Sequence, residues 1–424
     1  RMLLFSLLCG LMLLLDASLQ LCISLPIQSV VDGEPVLYSN EPATEAAAAL
    51  TAILDVNNRN CSLLEKGCGE SLNLEGTEYV QLTPTLVDWR STSIFSAAPS
   101  VFSCLRSGST VALGFWNSEF CAPAAFFAST HGVLVFGNRA KTPFLSVEER
   151  FPLFARTSFS QLLQMTWLAE FMNYLGWGQV SVVLQRGEIG EASSQAFLQQ
   201  ARNKGILVNL ETIDDSGGID FGAVDWVLAF PALSAAVESV KESRTTRIIL
   251  LDLSAEFVVG FLKAASSTGL NVQAYVWIVA KTPIKDILSL ADRERASLPE
   301  GLLTGLISVE KPFAEEAAQR LNEERLSRFQ ENEIRPFLRD LDGEQDPRMD
   351  ERLVEEVRRG ARHMEALYMY DAVWAIALAY AKARREGAGG GAAGPEELLR
   401  AIKDLPAFEG LSGPVEFDER ADRR

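Results

Sequence analysis

The sequence predicts an α/β protein built from two doubly wound lobes, each a parallel sheet between helices, joined by a hinge. Two observations support this prediction: strands and helices alternate along the middle of the chain, and the strands are continuous apolar runs. Strands that are covered on both faces have this composition, whereas half-exposed strands alternate apolar and polar residues. A chain of 424 residues is long enough for two or more domains.

The alternation is clearest between residues 159 and 283. Five apolar runs predict strands there, and amphipathic stretches between them predict helices. Two of these helices end near Gly205 and Gly269, a residue type that commonly ends helices. The predicted strands cover residues 179–184, 206–210, 226–230, 247–251 and 274–279. The predicted helices cover residues 161–174, 191–204, 233–243 and 254–269, with a loop at 186–190.

A second α/β unit is predicted from the segments on either side. The segment 363–385 is apolar around most of its girth, so it predicts a helix that is buried on several sides. The charge-dense segment 291–362 predicts exposed helices and loops. The remaining predictions are helices at 44–57, 122–130 and 395–403, strands at 110–115, 133–136 and 415–417, and a flexible loop at 387–394. We therefore assign residues 18–158 and 284–405 to lobe 1, and residues 159–283 and 406–424 to lobe 2.

Residues 1–17 are predicted to be a secretory signal peptide. Residues 2–15 are an apolar run that is shorter than the roughly 20 residues of a membrane helix. The alternative is a buried first strand or helix.

The cysteines and a sequon agree with export. Cys61 and Cys68 enclose a short loop, Cys104 and Cys121 enclose a longer one, and each pair is expected to form a disulfide. Cys22 is then left as a buried thiol. Asn60 begins the glycosylation sequon Asn-Cys-Ser.

Composition and motifs argue against several function classes. The net charge of −17 repels a phosphate backbone, so we expect no nucleic-acid partner. The sequence contains no His-Glu-x-x-His, Cys-x-x-Cys, P-loop or nucleophile-elbow motif, which predicts no enzyme activity, no metal and no cofactor. The different-class alternative is a Rossmann-type enzyme, but residues 186–190 (RGEIG) lack the Gly-x-Gly-x-x-Gly pattern.

Five segments resemble type I periplasmic-binding-protein-like receptor domains, the ANF-receptor family. They are 142–146 (TPFLS), 151–157 (FPLFART), 175–177 (LGW), 370–379 (YDAVWAIALA) and 408–418 (FEGLSGPVEFD). The last two are most similar to the GABA-B receptor group of class C G-protein-coupled receptors. The resemblance covers residues 40–424. It implies a clamshell whose three crossings between the lobes act as a hinge and which closes on a ligand.

Open α/β sheets bind ligands beyond the carboxyl ends of their strands, so the predicted fold places a ligand site there. The resemblance implies which residues line it. Positions that hold the ligand carboxylate in the GABA-binding subunit correspond to Trp116, Arg139 and Ser158, and its second-lobe aromatics correspond to Pro231 and Thr282. The acidic residue that takes the ligand amine is kept as Glu365.

These residue types suit a zwitterion. Arg139 and Lys141 are expected to hold a carboxylate and Glu365 an amine, with a stacking wall from Trp116. The expected neutral hydrogen-bonding groups are Asn117, Ser118 and Ser158. The alternatives are that the two cations are solvated loop charges, that Glu365 forms a salt bridge, and that Trp116 belongs to the core.

The function implied is the extracellular ligand-sensing domain of a membrane receptor, most similar to a GABA-B-like G-protein-coupled receptor. It would bind a small amino-acid-like molecule and form a homo- or heterodimer through lobe 1. Membrane attachment is expected only through a region that follows Arg424. The alternatives are a soluble exported amino-acid-binding protein of a transporter, and the ectodomain of a receptor cyclase or kinase.

Overall fold

The structure is a computed structural model in which the chain divides into two units. Unit 1 contains residues 1–141, 145–159 and 313–424, and unit 2 contains residues 142–144 and 160–312. The residues that the structure describes are 18–31, 34–37, 40–64, 71–73, 79–89, 96–186, 188–213, 226–243, 246–270, 272–280, 282, 284, 287–288, 290, 305–309, 314–330, 336–339, 351–386 and 393–424. The predicted signal peptide, residues 1–17, therefore lies outside the described residues.

The described residues form strands and helices that are numbered here in chain order. The strands are β1 (Ser18–Leu25), β2 (Gln28–Val31), β3 (Glu34–Leu37), β4 (Gln81–Asp88), β5 (Val111–Gly114), β6 (Leu134–Gly137), β7 (Phe154–Phe159), β8 (Gln179–Gln185), β9 (Leu207–Ile213), β10 (Ile248–Asp252), β11 (Val276–Val279), β12 (Leu306–Ser308), β13 (Leu338–Arg339), β14 (Phe408–Gly410), β15 (Gly413–Val415) and β16 (Asp422–Arg423). The α-helices are α1 (Asn40–Asn57), α2 (Ser100–Arg106), α3 (Ser118–Thr130), α4 (Gln161–Tyr174), α5 (Glu188–Asn203), α6 (Trp226–Ser243), α7 (Ala255–Ser267), α8 (Glu315–Glu324), α9 (Glu351–Arg358), α10 (Met364–Glu386) and α11 (Pro395–Lys403).

Unit 1 contains a seven-stranded sheet in the order β13-β4-β1-β5-β6-β7-β16. Every neighbouring pair in this sheet is parallel. Helix α10 packs on α1, and its residues are buried from the first turn to Ala381 except for the partly buried Glu365. The predicted buried helix is thus confirmed, because an apolar girth leaves no face for solvent.

Unit 2 contains a five-stranded parallel sheet in the order β12-β11-β10-β8-β9. Its two faces are buried in two separate apolar clusters: Ile249 and Leu251 point into one, and Leu250 points into the other. Successive strand residues face opposite sides, so a strand covered on both sides must be apolar throughout. The predicted α/β fold class with parallel sheets is confirmed.

Two predictions of local structure in unit 2 differ from the structure. The predicted strand at 226–230 is the first part of helix α6, which continues through Pro231. A five-residue apolar run has no period that separates a strand from a helix, and its neighbours decide. Helix α5 begins at Glu188, inside the predicted 186–190 loop.

The carboxyl-terminal segment belongs to unit 1, so the assignment of residues 406–424 to lobe 2 is wrong. The predicted strand at 415–417 lies instead at β15, which forms a hairpin with β14. Strand β16 then pairs with β7. The side chain of Arg156 forms two hydrogen bonds with the Asp422 carboxylate, at 2.7 and 2.8 Å, and this pair secures the segment. Part of the predicted lobe 1 segment 284–405, residues 284–312, belongs to unit 2.

The predicted Cys104–Cys121 disulfide is wrong, as is the predicted free thiol at Cys22. Cys22 on β1 is bonded to Cys104 on α2, across a Cα–Cα distance of 5.4 Å. Cys121 on α3 is free and buried, and burial raises the pKa of its thiol to about 12. Sequence spacing does not reveal which chain segments the parallel sheet brings together. Cys61 is disulfide-bonded. Its pairing with Cys68 stays a prediction because Cys68 lies outside the described residues.

Among the described residues, no helix has the length and apolar character needed to cross a bilayer.

Replacing Cys104 by serine is expected to lower the free energy of unfolding by about 4 kcal/mol. The bond joins residues 82 positions apart, and a loop of that size restricts the unfolded chain strongly. Denaturant unfolding measures the change. In the control variant Cys121→Ala, the loss should be only about 1 kcal/mol. Recovery of a Cys104–Cys121 peptide from a non-reducing digest would contradict the pairing.

Candidate functional site

The loop between β5 and α3 has an unusual backbone. Gly114, Phe115 and Trp116 all have positive φ angles, of 116°, 60° and 57°. A Cβ atom on Gly114 would lie 2.6 Å from the Ser24 carbonyl oxygen, so only glycine fits there. Left-handed non-glycine residues cost about 1–3 kcal/mol each and are concentrated at functional sites.

Arg139, in the loop after β6, stacks on the indole ring of Trp116. The guanidinium carbon lies 4.0 Å from the ring centroid, a cation–π distance. The same guanidinium binds two carboxylates of helix α1: its Nη1 atom lies 2.7 Å from Glu41 Oε2 and 3.2 Å from Glu45 Oε1. Arg139 is therefore fixed by the indole ring and by two acids.

The start of α10 contributes the other half of the site. Glu365 Oε1 lies 3.3 Å from Lys141 Nζ, and Glu365 Oε2 lies 3.5 Å from His363 Nδ1. Asn138 links the two helices, because its Nδ2 donates to Glu45 Oε2 at 2.8 Å and to the Glu365 carbonyl at 3.3 Å.

We call this group of side chains the Arg139 cluster. It lies in unit 1, beyond the carboxyl ends of β5 and β6, where open α/β sheets bind ligands. Its members are Glu41, Glu45, Trp116, Asn138, Arg139, Lys141, His363 and Glu365.

Four of the residues predicted for the site are thus brought together: Trp116, Arg139, Lys141 and Glu365. The sequence did not single out Glu45, His363 or Asn138. A lone carboxylate among the alanines of 44–49 was a signal for Glu45, since that helix face had to be buried.

The protonation equilibria of the cluster are strongly perturbed. Burial raises the pKa of Glu45 to about 7, and the charges of Arg139 and His363 and a hydrogen bond from Asn138 oppose this increase only in part. Burial alone would also raise the pKa of Glu365, but Lys141, Arg139 and His363 hold it well below its usual range. The pKa values of the Glu45 and Glu365 carboxyl groups are therefore shifted in opposite directions.

The three neutral residues predicted for the site form local hydrogen bonds. Asn117 caps helix α3 and accepts from Phe120 N at 3.3 Å. The Ser118 hydroxyl accepts from Lys141 N at 3.1 Å, and the Ser158 hydroxyl donates to the Ala140 carbonyl at 3.3 Å. The bonds of Ser118 and Ser158 hold the 138–141 loop in place, and ligand binding by the three residues stays a prediction.

Unit 2 holds a separate polar cluster where β10 ends. Gln161 Nε2 donates to Asp252 Oδ1 at 3.1 Å, and the Ser193 hydroxyl donates to Gln161 Oε1 at 2.7 Å. All three side chains are buried. Of the family positions in this unit, Pro231 lies within α6, and the buried Thr282 hydroxyl donates to the Leu253 carbonyl.

The Arg139 cluster combines charges of both signs with an aromatic ring. Two cations and three carboxylates lie beside one aromatic face, although both cations already have acidic partners. Within the described part of the chain, no group of three or more His, Cys, Asp or Glu side chains is arranged to hold a metal ion.

The variant Glu45→Gln is expected to flatten the dependence of stability on pH. The pKa of Glu45 is higher in the folded protein, about 7, than in the unfolded chain, about 4.5. Its contribution to stability is therefore complete below about pH 4.5 and is lost as the pH rises to 7. Between these values the wild type should lose about 3 kcal/mol more than the variant.

Denaturant unfolding at a series of pH values measures this difference. Glu41→Gln is the matched control, because Glu41 also binds Arg139 but is 31 % exposed. The control should keep the wild-type slope. Equal slopes for wild type and Glu45→Gln would contradict the perturbed titration of Glu45.

Comparison with known protein families agrees with the fold. The family model described as the receptor family ligand binding region, ANF receptor, matches residues 81–424. The match includes Trp116, Arg139 and Glu365, whereas helix α1 with Glu41 and Glu45 precedes it. Because the match covers most of the chain, the protein belongs to the ANF-receptor family of receptor ligand-binding regions.

Proposed function

We propose that this chain is the extracellular ligand-sensing domain of a membrane receptor, of the GABA-B-like G-protein-coupled type. It binds a small amino-acid-like molecule at the Arg139 cluster and signals by clamshell closure. It acts by binding alone and catalyses no reaction. Membership of the receptor ligand-binding family supports this function.

The observation that carries the proposal is the pairing of opposite charges beside an aromatic face. Arg139 suits a ligand carboxylate because its planar guanidinium donates two parallel hydrogen bonds. The Glu365 carboxylate, ionised at neutral pH, suits an amine. Trp116 offers an aromatic wall beside Arg139.

The ligand must compete with partners inside the protein. Arg139 is held by Glu41 and Glu45, and Glu365 is held by Lys141. The carboxylate of a zwitterion replaces the acidic partners of Arg139, and its amine replaces the cationic partner of Glu365. A simple anion or a simple amine replaces only one of these. We therefore propose that the site prefers amino acids to either half of such a molecule.

Arg139→Ala and Glu365→Ala are each expected to weaken amino-acid binding by about 10- to 100-fold, because a hydrogen bond to a charged group contributes about 1.5–3 kcal/mol. A thermal-shift screen of glycine, L-glutamate, γ-aminobutyrate and related amino acids measures binding, since a ligand raises stability as RT ln(1 + [L]/Kd). The control is Glu148→Ala, which removes a surface ion pair with Lys403. Unchanged affinities in both cluster variants would exclude this site, and no stabilisation by any amino acid would exclude the function.

Sequencing the transcript beyond the codon for Arg424 tests the proposed attachment to a membrane. A coding sequence that continues into membrane-spanning segments is expected for a receptor. A stop codon directly after Arg424 would instead favour an exported binding protein.

A further inference from the structure

Arg139 is held by two carboxylates that differ in their surroundings. The Glu41 side chain is 31 % exposed, whereas the Glu45 side chain is fully buried. Water can replace Arg139 as a partner of Glu41. A buried Glu45 carboxylate that loses Arg139 would be left with an uncompensated charge, which is strongly unfavourable.

Charged and titratable groups approach Glu45 from three sides. Arg139 comes from the loop after β6, His363 and Glu365 come from the start of α10, and Glu41 lies one turn earlier on α1.

Two described carboxylates on other elements that pack on α1 have partners elsewhere. Asp88 of β4 accepts from Ile27 N, and Glu355 of α9 pairs with Arg359. Arg139 itself lies in direct contact with Glu45, with Nη1 3.2 Å from Oε1, and its charge stabilises the ionised carboxylate.

Two buried polar groups at this point also lack a hydrogen bond of normal geometry within the described structure. Neither ring nitrogen of His363 forms one, although Nδ1 lies 3.5 Å from Glu365 Oε2 and 4.0 Å from Glu45 Oε1, and Oδ1 of Asn138 forms none. His363 is 6 % exposed and Asn138 is fully buried. Buried polar groups are normally satisfied, so these atoms indicate a position where a ligand atom or a proton is accommodated.

We propose that ligand binding at the Arg139 cluster is linked to protonation of Glu45. A ligand carboxylate takes the guanidinium of Arg139, and Glu45 takes up one proton from solvent as it loses that partner. Glu45 does not contact the ligand, so it is a positioning residue that acts through Arg139. This inference rests on the proposed function, because it assumes a ligand that carries a carboxylate.

The direction of the pH dependence follows from the charges. In the ligand-free protein the pKa of Glu45 is about 7. Loss of Arg139 and the arrival of a second anion both raise that pKa further. Affinity should therefore be constant below about pH 7 and fall by up to about tenfold per pH unit above it.

Isothermal titration calorimetry with glycine, L-glutamate and γ-aminobutyrate tests the inference. Titrations between about pH 6 and pH 8.5 give the affinity, and paired titrations in phosphate and Tris buffers near pH 7.5 give the number of protons taken up. The wild type should bind more weakly at high pH and take up a proton. Glu45→Gln should bind with one affinity over this range and take up none.

Glu41→Gln is the matched control. It also frees one side of Arg139, so affinity should rise at every pH while the wild-type slope remains. A slope that persists in Glu45→Gln would assign the titration to another group and overturn the inference. Amino-acid binding without pH dependence in the wild type would overturn the inference and leave the proposed function intact. No binding of any of the three amino acids at any pH would overturn both.

Discussion

The burial of helix α10 is the constraint on which unit 1 depends, because each polar group that the helix carries inward needs a partner. Asp371, fully buried in the middle of the helix, accepts from Leu411 N at 2.7 Å and from Ser412 N at 2.9 Å. The backbone of Gly410 approaches the same carboxylate so closely that a Cβ atom would lie 2.5 Å from it. The hairpin of β14 and β15 is therefore held at α10 by hydrogen bonds to the Asp371 carboxyl group.

The same helix explains the position of the candidate site. Its first turn carries Glu365 beside Lys141, and its packing on α1 brings Glu45 within reach of Arg139. Six ionisable groups thus lie together where the sheet ends, and the pKa values of Glu45 and Glu365 are shifted in opposite directions. The apolar packing of two helices leads directly to an electrostatic arrangement that either helix alone would lack.

Much of the fold could be predicted from the sequence because strands and buried helices are encoded by local patterns of apolar residues. The continuous apolar runs predicted strands covered on both faces, as Leu250 and its neighbours show, and the apolar girth of α10 predicted its burial. Pairings across long stretches of chain could not be predicted. Cys22 lies 82 residues from Cys104, and β16 pairs with a strand far from it in the chain. The site was predicted in part, because motif positions indicated Trp116, Arg139 and Glu365, but only packing shows that Glu45 holds Arg139.

The order of strands in unit 1 has a consequence for synthesis of the chain. Strand β1 is made first but lies in the interior of the sheet, between β4 and β5, and Ser18 pairs with Gln81 while Leu21 pairs with Val111. At the other end, β7 gains its outer neighbour only when Asp422 has been added. Unit 2 contains residues 160–312 and forms its sheet without either end of the chain. A ribosome therefore releases the strands of unit 2 as a complete set while the sheet of unit 1 still lacks both of its edge strands, β13 and β16, so the nascent chain exposes unpaired strand edges until synthesis reaches Asp422.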